Sequence, residues 1–201
     1  MTEHYYSEKQ TSILKIKEIE INLRGTNLKL NTGSGVFSIG KIDKGTKLLI
    51  ENCIIKKDWK VLDLGSGYGP IGITIAKTFP STKVLMTDIN ERAVKLSRMN
   101  IKLNNLENIQ AKKSDLYQNI TEKFDTIITN PPNLAGRKIC FEIIEKAKEH
   151  LKKDGLLQLV ARHNKGGKQL ELKMKEVFNN VEAIAKKSGY RVYVSKSLQI
   201  K

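Results

Sequence analysis

Strand-like and helix-like segments alternate along the chain from Lys60 onwards, and this alternation limits the fold more than any other feature. The strand-like runs are "KVLDL", "KVLMTD", "IQAKKS", "DTIITN" and "LLQLVA". Residues 70–79, 91–104, about 138–152 and 167–177 have the spacing of helices. Parallel strands need crossover connections, which helices usually supply. The pattern therefore predicts an α/β protein with a doubly wound, Rossmann-like sheet that binds ligands at the carboxyl ends of its strands.

The last two strand-like runs, "VEAIAK" and "YRVYVS", are separated by only three residues, "KSG". So short a connection cannot cross over the sheet, and it therefore joins antiparallel strands. We expect a sheet that is mostly parallel, with one antiparallel strand near the C-terminus.

The N-terminal part has a different pattern. Apolar side chains alternate in residues 13–32 on either side of "RGTN", which predicts a β-hairpin. A glycine-rich loop follows, and Thr46 is then expected to cap a short helix, "KLLIENC". A length of 201 residues suits one domain. We expect residues 1–201 to form a single domain, in which residues 1–57 are an extension and residues 58–201 the Rossmann-like core.

Charge indicates the class of partner. The chain has 36 Lys and Arg residues against 21 Asp and Glu residues, which gives a net charge of +15 and an isoelectric point near 9.7. Residues 137–201 contain 16 basic and 7 acidic residues, so most of the excess lies in the last third. Such an excess favours a polyanionic partner, here a nucleic acid. The alternative is a lysine-rich surface that serves solubility or thermal tolerance.

Other classes are disfavoured by composition. The longest apolar runs are too short to span a bilayer, and the N-terminus is polar and acidic rather than basic and then apolar. We expect a cytoplasmic protein without a membrane partner. Cysteines and histidines lie far apart, without the spacing of metal ligands, so neither a disulfide nor a metal site is expected. These residues are Cys53, Cys140, His4, His150 and His163.

A glycine-rich turn, "VLDLGSGYGPIG", connects the first strand of the core to its first helix. Three of its glycines, Gly67, Gly69 and Gly72, match the G-x-G-x-x-G pattern of dinucleotide sites, and Asp88 lies near the spacing of a ribose-binding acid. Two residues argue against a dinucleotide. Asp63 would place a carboxylate near the pyrophosphate, and Pro70 removes an N–H group that would face it. A cationic ligand without phosphate, such as S-adenosylmethionine, fits better.

These residues resemble those of class I S-adenosylmethionine-dependent methyltransferases, whose sheet is similarly parallel except for one late strand. The resemblance implies that S-adenosylmethionine is the cofactor and assigns roles to residues at four strand ends. Asp63, Gly65, Ser66 and Gly67 would line its methionine end, Asp88 would hold the ribose, Ile89 and Asn90 would flank the adenine, Ser114 and Asp115 would flank the adenine amine, and Asn130 would also border the cofactor. The simpler alternative is a tight turn in which Asp88 only caps the next helix.

The stretch "TIITNPPNLAG" ends a strand at Asn130, Pro131 and Pro132. It resembles the N-P-P-aromatic motif of methyltransferases that act on exocyclic amines. Such an amine is a poor nucleophile because its lone pair is delocalised into the ring. Two acceptors, the side-chain oxygen of Asn130 and the carbonyl of Pro131, would hold its N–H groups and direct the lone pair, and consecutive prolines fix the carbonyl. These three residues are the catalytic candidates, with a structural strand stop as the alternative.

The chain departs from this motif at its fourth position, where Asn133 replaces the aromatic residue that stacks on the target base. Phe37, Tyr5 or Tyr6 could stack instead, although each is equally plausible as a packing residue. Arg137 and Lys138 follow the motif closely enough to hold a phosphate beside the base. A second basic group, at Lys186, Lys187 and Arg191, would extend that contact along the sheet edge.

Longer blocks, among them "GVFSIGKIDKGTKLLIE", "DLGSGYGPIGI" and "GYRVYVSK", resemble the small methyltransferase domain family that includes ribosomal RNA small-subunit methyltransferase C. This resemblance implies methylation of a guanine amine in ribosomal RNA. The alternatives are an adenine-N6 methyltransferase acting on DNA or RNA, a protein glutamine methyltransferase, and a catalytically silent RNA-binding module.

Overall fold

A computed structural model describes residue 8, residues 12–132 and residues 136–198 of the chain. Within these ranges, a two-stranded hairpin and a short helix precede a seven-stranded sheet. The expected positions Tyr5, Tyr6 and Asn133 lie outside the described residues.

The predicted N-terminal hairpin is confirmed. Strands β1 (Ile16–Leu23) and β2 (Thr26–Gly33) pair antiparallel, with Leu23 opposite Thr26. The two-residue turn between them has positive φ at both Arg24 and Gly25, 50° and 74°. Such a turn matches the twist of the two strands.

Helix α1 (Lys44–Asn52) is capped by Asp43, so the expectation that Thr46 caps it is wrong. Asp43 has extended backbone angles, and its Oδ2 accepts hydrogen bonds from the backbone N–H groups of Gly45 and Thr46, at 2.8 and 3.0 Å. A carboxylate here also interacts favourably with the positive end of the helix dipole. Thr46 lies within the first turn, which leaves its hydroxyl for another partner.

The central sheet has the predicted topology. Its strands are β3 (Lys60–Leu64), β4 (Lys83–Asp88), β5 (Ile109–Lys113), β6 (Phe124–Thr129), β7 (Leu151–Arg162), β8 (Glu182–Lys187) and β9 (Tyr190–Lys196). Their order is β5-β4-β3-β6-β7-β9-β8, and β9 runs antiparallel to both of its neighbours. The direction of winding reverses between β3 and β6, and ligands of such sheets bind at this reversal.

Four more helices flank the sheet: α2 (Pro70–Thr78), α3 (Glu91–Leu103), α4 (Arg137–His150) and α5 (Lys168–Phe178). The expected helix over residues 138–152 ends two residues early, because Leu151 is buried and pairs with Phe124 as the start of β7. A kinked segment, His163–Gly167, with non-helical backbone angles at Lys165 and Gly166, leads from β7 into α5.

The hairpin shares its hydrophobic core with the sheet. Leu23 and Leu30 are fully buried in the same cluster as Val61 and Ile73. Asn100 on α3 is also fully buried and joins the two parts, because its amide exchanges hydrogen bonds with the backbone of Asn31 at 2.6 and 2.9 Å. This packing supports our proposal that the chain is one domain. None of the described helices combines the length and apolarity needed to cross a membrane.

Candidate active site

A cleft of about 1310 Å³, including its open mouth, lies over the carboxyl ends of β3, β4 and β6. The loop that follows β2, the start of α1 and the start of β9 form its other walls. Ligands of doubly wound sheets bind at the carboxyl ends of the strands, beside the reversal of strand order. The cleft is therefore the candidate site for the cofactor and the substrate.

Most of the predicted site residues line this cleft. They are Phe37, Gly65, Ser66, Gly67, Asp88, Ile89, Ser114, Asp115, Asn130, Pro131 and Pro132. Four others are not part of its lining. Asp63 and Asn90 are fully buried behind it, whereas Arg137 and Lys138 are exposed at the start of α4, directly before the lining residue Ile139.

The glycine-rich loop forms a cradle. Gly65 and Gly67 have positive φ, 70° and 58°, and a Cβ atom at either position would face open space. Glycine adopts such angles without steric cost and lets a ligand approach the backbone closely. Helix α3 holds the loop from behind, since the hydroxyl of Ser97 donates to the carbonyl of Gly67 at 2.8 Å.

Asp63 supports the cradle from below. Its Oδ2 accepts the backbone N–H of Gly72 at 2.8 Å, whereas its Oδ1 is buried without a hydrogen-bond partner among the described residues. Burial, together with the nearby charge of Asp88, raises the pKa of Asp63 to about 7, against the opposing effect of the Gly72 hydrogen bond. A cationic group near the loop would stabilise this carboxylate, so the site fits the ammonium of S-adenosylmethionine.

Asp88 is the carboxylate that the cleft exposes at the end of β4. Its Oδ2 accepts the N–H of Gly67 at 2.8 Å and its Oδ1 that of Asn90 at 2.9 Å. Burial raises the pKa of Asp88, and these backbone hydrogen bonds oppose the rise. A carboxylate held in this way can accept hydrogen bonds from a ribose diol.

The side chain of Asn90 holds structural elements together behind the cleft. Its side chain caps α3 by accepting the N–H groups of Arg92 and Ala93, at 2.9 and 3.2 Å, and it donates to the carbonyl of Gly35 at 2.9 Å. It therefore anchors the loop over the cleft, and its place beside the adenine stays a prediction. Asp115 lines the cleft with an exposed carboxylate, whereas Ser114 is buried and its hydroxyl donates to Leu116 at 2.9 Å.

Asn130 is oriented by residues from the N-terminal part of the chain. Its Nδ2 donates to the hydroxyl of Thr46 at 2.8 Å and lies 3.4 Å from Oδ2 of Asp43. A carboxylate only accepts hydrogen bonds, so the nitrogen of the amide must be the atom that faces Asp43. Oδ1 of Asn130 accepts no hydrogen bond from the described residues and is left as an acceptor at the cleft.

Sequence reasoning missed these two partners. The string "DKGT" contains a recognisable helix cap in Asp43, but no local signal links it to a strand end 87 residues away. Tyr190, at the start of β9, also lines the cleft, although it was not predicted as a site residue. Among the described residues, no group of three or more His, Cys, Asp or Glu side chains is placed to hold a metal ion.

Comparison with known proteins identifies the family. Residues 27–194 match the methyltransferase small domain family. The chain belongs to this family. It is 38% identical to the uncharacterized protein YbxB of Bacillus subtilis (strain 168), over 98% of the chain and 100% of that protein. The predicted S-adenosylmethionine-dependent methyltransferase is therefore confirmed.

Further relatives of this methyltransferase are larger. Ribosomal RNA small subunit methyltransferase C of Haemophilus influenzae (strain PittGG) is 35% identical over 85% of the chain and 52% of the relative. The 16S rRNA N2 G1207 methyltransferase of Thermus thermophilus, solved with AdoMet and guanosine, superposes with a TM-score of 0.78 at 24% identity, over 94% of the chain and 52% of that protein. The chain spans about half the length of these two proteins and shares the fold of the second.

Proposed function

We propose that this methyltransferase transfers a methyl group to the exocyclic amine of guanine, N2, in ribosomal RNA. The observation that carries this proposal is the fixed orientation of the Asn130 amide, whose nitrogen faces Thr46 and Asp43 and whose oxygen is left for a substrate. An acceptor in this position suits an amine that has hydrogens to donate.

The residues that would hold the cofactor fit S-adenosylmethionine. The glycine cradle leaves space for its methionine end, Asp88 presents a carboxylate for its ribose, and Ile89 and Asp115, which also line the cleft, would border its adenine. When bound, the cofactor supplies an electrophilic methyl group on sulfur.

The chain's own contribution to the reaction is to position the amine. Oδ1 of Asn130 and the carbonyl of Pro131 would accept its two N–H groups, which favours a pyramidal nitrogen with its lone pair free to attack. Transfer would form the new N–C bond as the S–C bond of the cofactor breaks and leaves a neutral thioether, and the methylated amine would then release one proton to water. Pro131 and Pro132 have no backbone N–H, so this corner presents no competing donor.

Guanine is favoured over adenine by the relatives. The Haemophilus protein is named as a methyltransferase of ribosomal RNA. The Thermus protein is named as a methyltransferase of N2 of G1207 in 16S rRNA, and it was solved with guanosine. An RNA partner also agrees with the charge. The exposed residues Arg137 and Lys138 follow the carboxyl end of β6, next to the cleft. Strand β8 runs parallel to β6 and β7, so its last residue, Lys187, lies at the same carboxyl end of the sheet.

The test uses the full chain, RNA that lacks the modification, and S-adenosylmethionine with a labelled methyl group, followed by mass spectrometry of the digested nucleosides. We expect labelled N2-methylguanosine. Asn130→Ala should slow transfer by about 10²–10³-fold, by analogy with the loss of one preorganised hydrogen-bonding group, while cofactor affinity changes little. Label only in N6-methyladenosine, only in DNA or only in protein glutamine would refute the proposal, as would no transfer at all.

A further inference from the structure

A base that enters the cleft needs a flat surface beside it, because it gives up stacking when it leaves the RNA strand. Aromatic side chains usually replace that stacking. The residue after the two prolines, Asn133, is not aromatic. The surface for the base must come from elsewhere in the cleft.

Three aromatic side chains of the described residues line the cleft: Phe37, Tyr68 and Tyr190. Tyr68 is only 2% exposed, and its hydroxyl donates to the carbonyl of Lys41 at 2.9 Å, so it belongs to the wall of the cleft. Phe37 is 39% exposed on the loop after β2. Tyr190 is half-buried at the first position of β9.

Tyr190 lies at the same end of the cleft as Asn130. Its ring packs on Gly45, where a Cβ atom would lie 2.7 Å from its Cε1. The Oδ2 of Asp43 approaches the same Gly45 Cβ position, at 3.0 Å, so this carboxylate lies beside the ring. Burial, together with the Asp43 carboxylate, raises the pKa of Tyr190. Oδ2 of Asp43 also lies 3.4 Å from Nδ2 of Asn130. One carboxylate therefore connects the ring to the amide that would bind the target amine.

The ring is also held from the neighbouring strand. Tyr190 pairs with Arg162 across β9 and β7, and the Arg162 guanidinium lies over the ring, 5.3 Å from its centroid. This cation–π contact and the packing on Gly45 limit the movement of the ring, so little conformational entropy remains to be lost on binding. Arg162 is itself exposed and adds positive charge beside the ring.

We propose that Tyr190 is the aromatic surface on which the target base packs, in place of the residue usual after the two prolines, with Arg162 holding the ring in position. This inference rests on the proposed function. Phe37 lies on the loop after β2, two residues after Gly35, whose carbonyl accepts a hydrogen bond from the Asn90 side chain. Phe37 is therefore held from the end of β4, whereas Tyr190 is linked to Asn130 through Asp43.

The test measures kcat and KM for a short single-stranded RNA with one guanine, using wild type, Tyr190→Leu, Tyr190→Phe and Phe37→Leu. Stacking on one aromatic side chain changes affinity by about 5- to 150-fold. We expect Tyr190→Leu to raise KM for RNA by such a factor without changing cofactor affinity. Tyr190→Phe should recover most of the loss, and Phe37→Leu should raise KM less than Tyr190→Leu does.

A fluorescence measurement keeps the test independent of turnover and of the stability of the Leu variant. Trp59 is the single tryptophan, so Trp59→Phe with Tyr190→Trp places one reporter in the cleft. RNA with guanine should quench it, and the same RNA with an abasic residue should not. Equal quenching by both, or a KM for Tyr190→Leu equal to that of wild type, overturns the inference while the proposed function stands. No transfer by wild type to any RNA overturns both.

Discussion

The hydroxyl of Thr46 should matter for methyl transfer although it does not touch the substrate in our proposal. Thr46 is 5% exposed and accepts the Nδ2 hydrogen of Asn130 at 2.8 Å. Thr46→Val keeps the shape of the side chain and removes this acceptor. The amide then retains only Asp43, at 3.4 Å, and can rotate so that its donors face the cleft.

The size of the effect follows from the hydrogen bond that is lost. A neutral hydrogen bond contributes about 0.5–1.5 kcal/mol net, which corresponds to about 2- to 13-fold in rate if the whole contribution orients the amide. The effect should therefore be smaller than that of Asn130→Ala. Unpaired polar atoms also cost stability, by about 1–3 kcal/mol when they are buried.

The assay is single-turnover transfer of a labelled methyl group, with thermal unfolding and cofactor affinity measured on the same preparations. Thr82→Val is a matched control. Thr82 is 1% exposed and its hydroxyl donates to the carbonyl of Phe79 at 2.7 Å, just before β4 starts at the opposite edge of the sheet. Both variants should lose stability, but only Thr46→Val should slow transfer, and Thr46→Ser should restore it. Equal rates for the two valine variants would refute the positioning role of Thr46.

Two other predictions concern pH and salt. The pKa of Asp63 is about 7 in the folded protein against an ordinary 3.8, so the folded state keeps a proton that the unfolded state has lost, and stability should fall as pH rises from about 4 to 7. At 1.36 kcal/mol per pH unit, the free energy of unfolding should fall by at most about 4 kcal/mol over this range. Urea unfolding at several pH values should show the fall, and Asp63→Asn should remove most of it. The same pH dependence in the variant would contradict the assignment to Asp63. Replacing Arg137 and Lys138 by Ala should reduce the log–log salt dependence of RNA binding by up to about 1.4, from about 0.7 for each phosphate contact. The same change at Lys57 and Lys83, at the other edge of the sheet, should leave the slope as it is, and equal slopes in both double variants would remove the assigned contact.

The sequence by itself determined the architecture of the sheet. Hydrophobic alternation is a local signal, and strand and helix periods differ enough to be distinguished within a few residues. The short link "KSG" was sufficient to make β8 and β9 antiparallel, because chain geometry allows no other pairing over three residues. The glycine-rich turn and the Asn-Pro-Pro corner were equally visible, since both depend on residue types with special backbone properties.

Only the tertiary structure decided how the site is assembled. Asn130 receives its orientation from Asp43 and Thr46 at the start of α1, and Tyr190 lines the same cleft from the last strand. Residues so far apart in the chain meet because α1 packs over β7 and β9, a contact that no local pattern encodes. Asn90 is a further example: its position after β4 suggested a ligand contact, and only the structure shows that its side chain also accepts two N–H groups at the start of α3. Local sequence sets which residues end each strand, whereas packing sets which of them face the ligand.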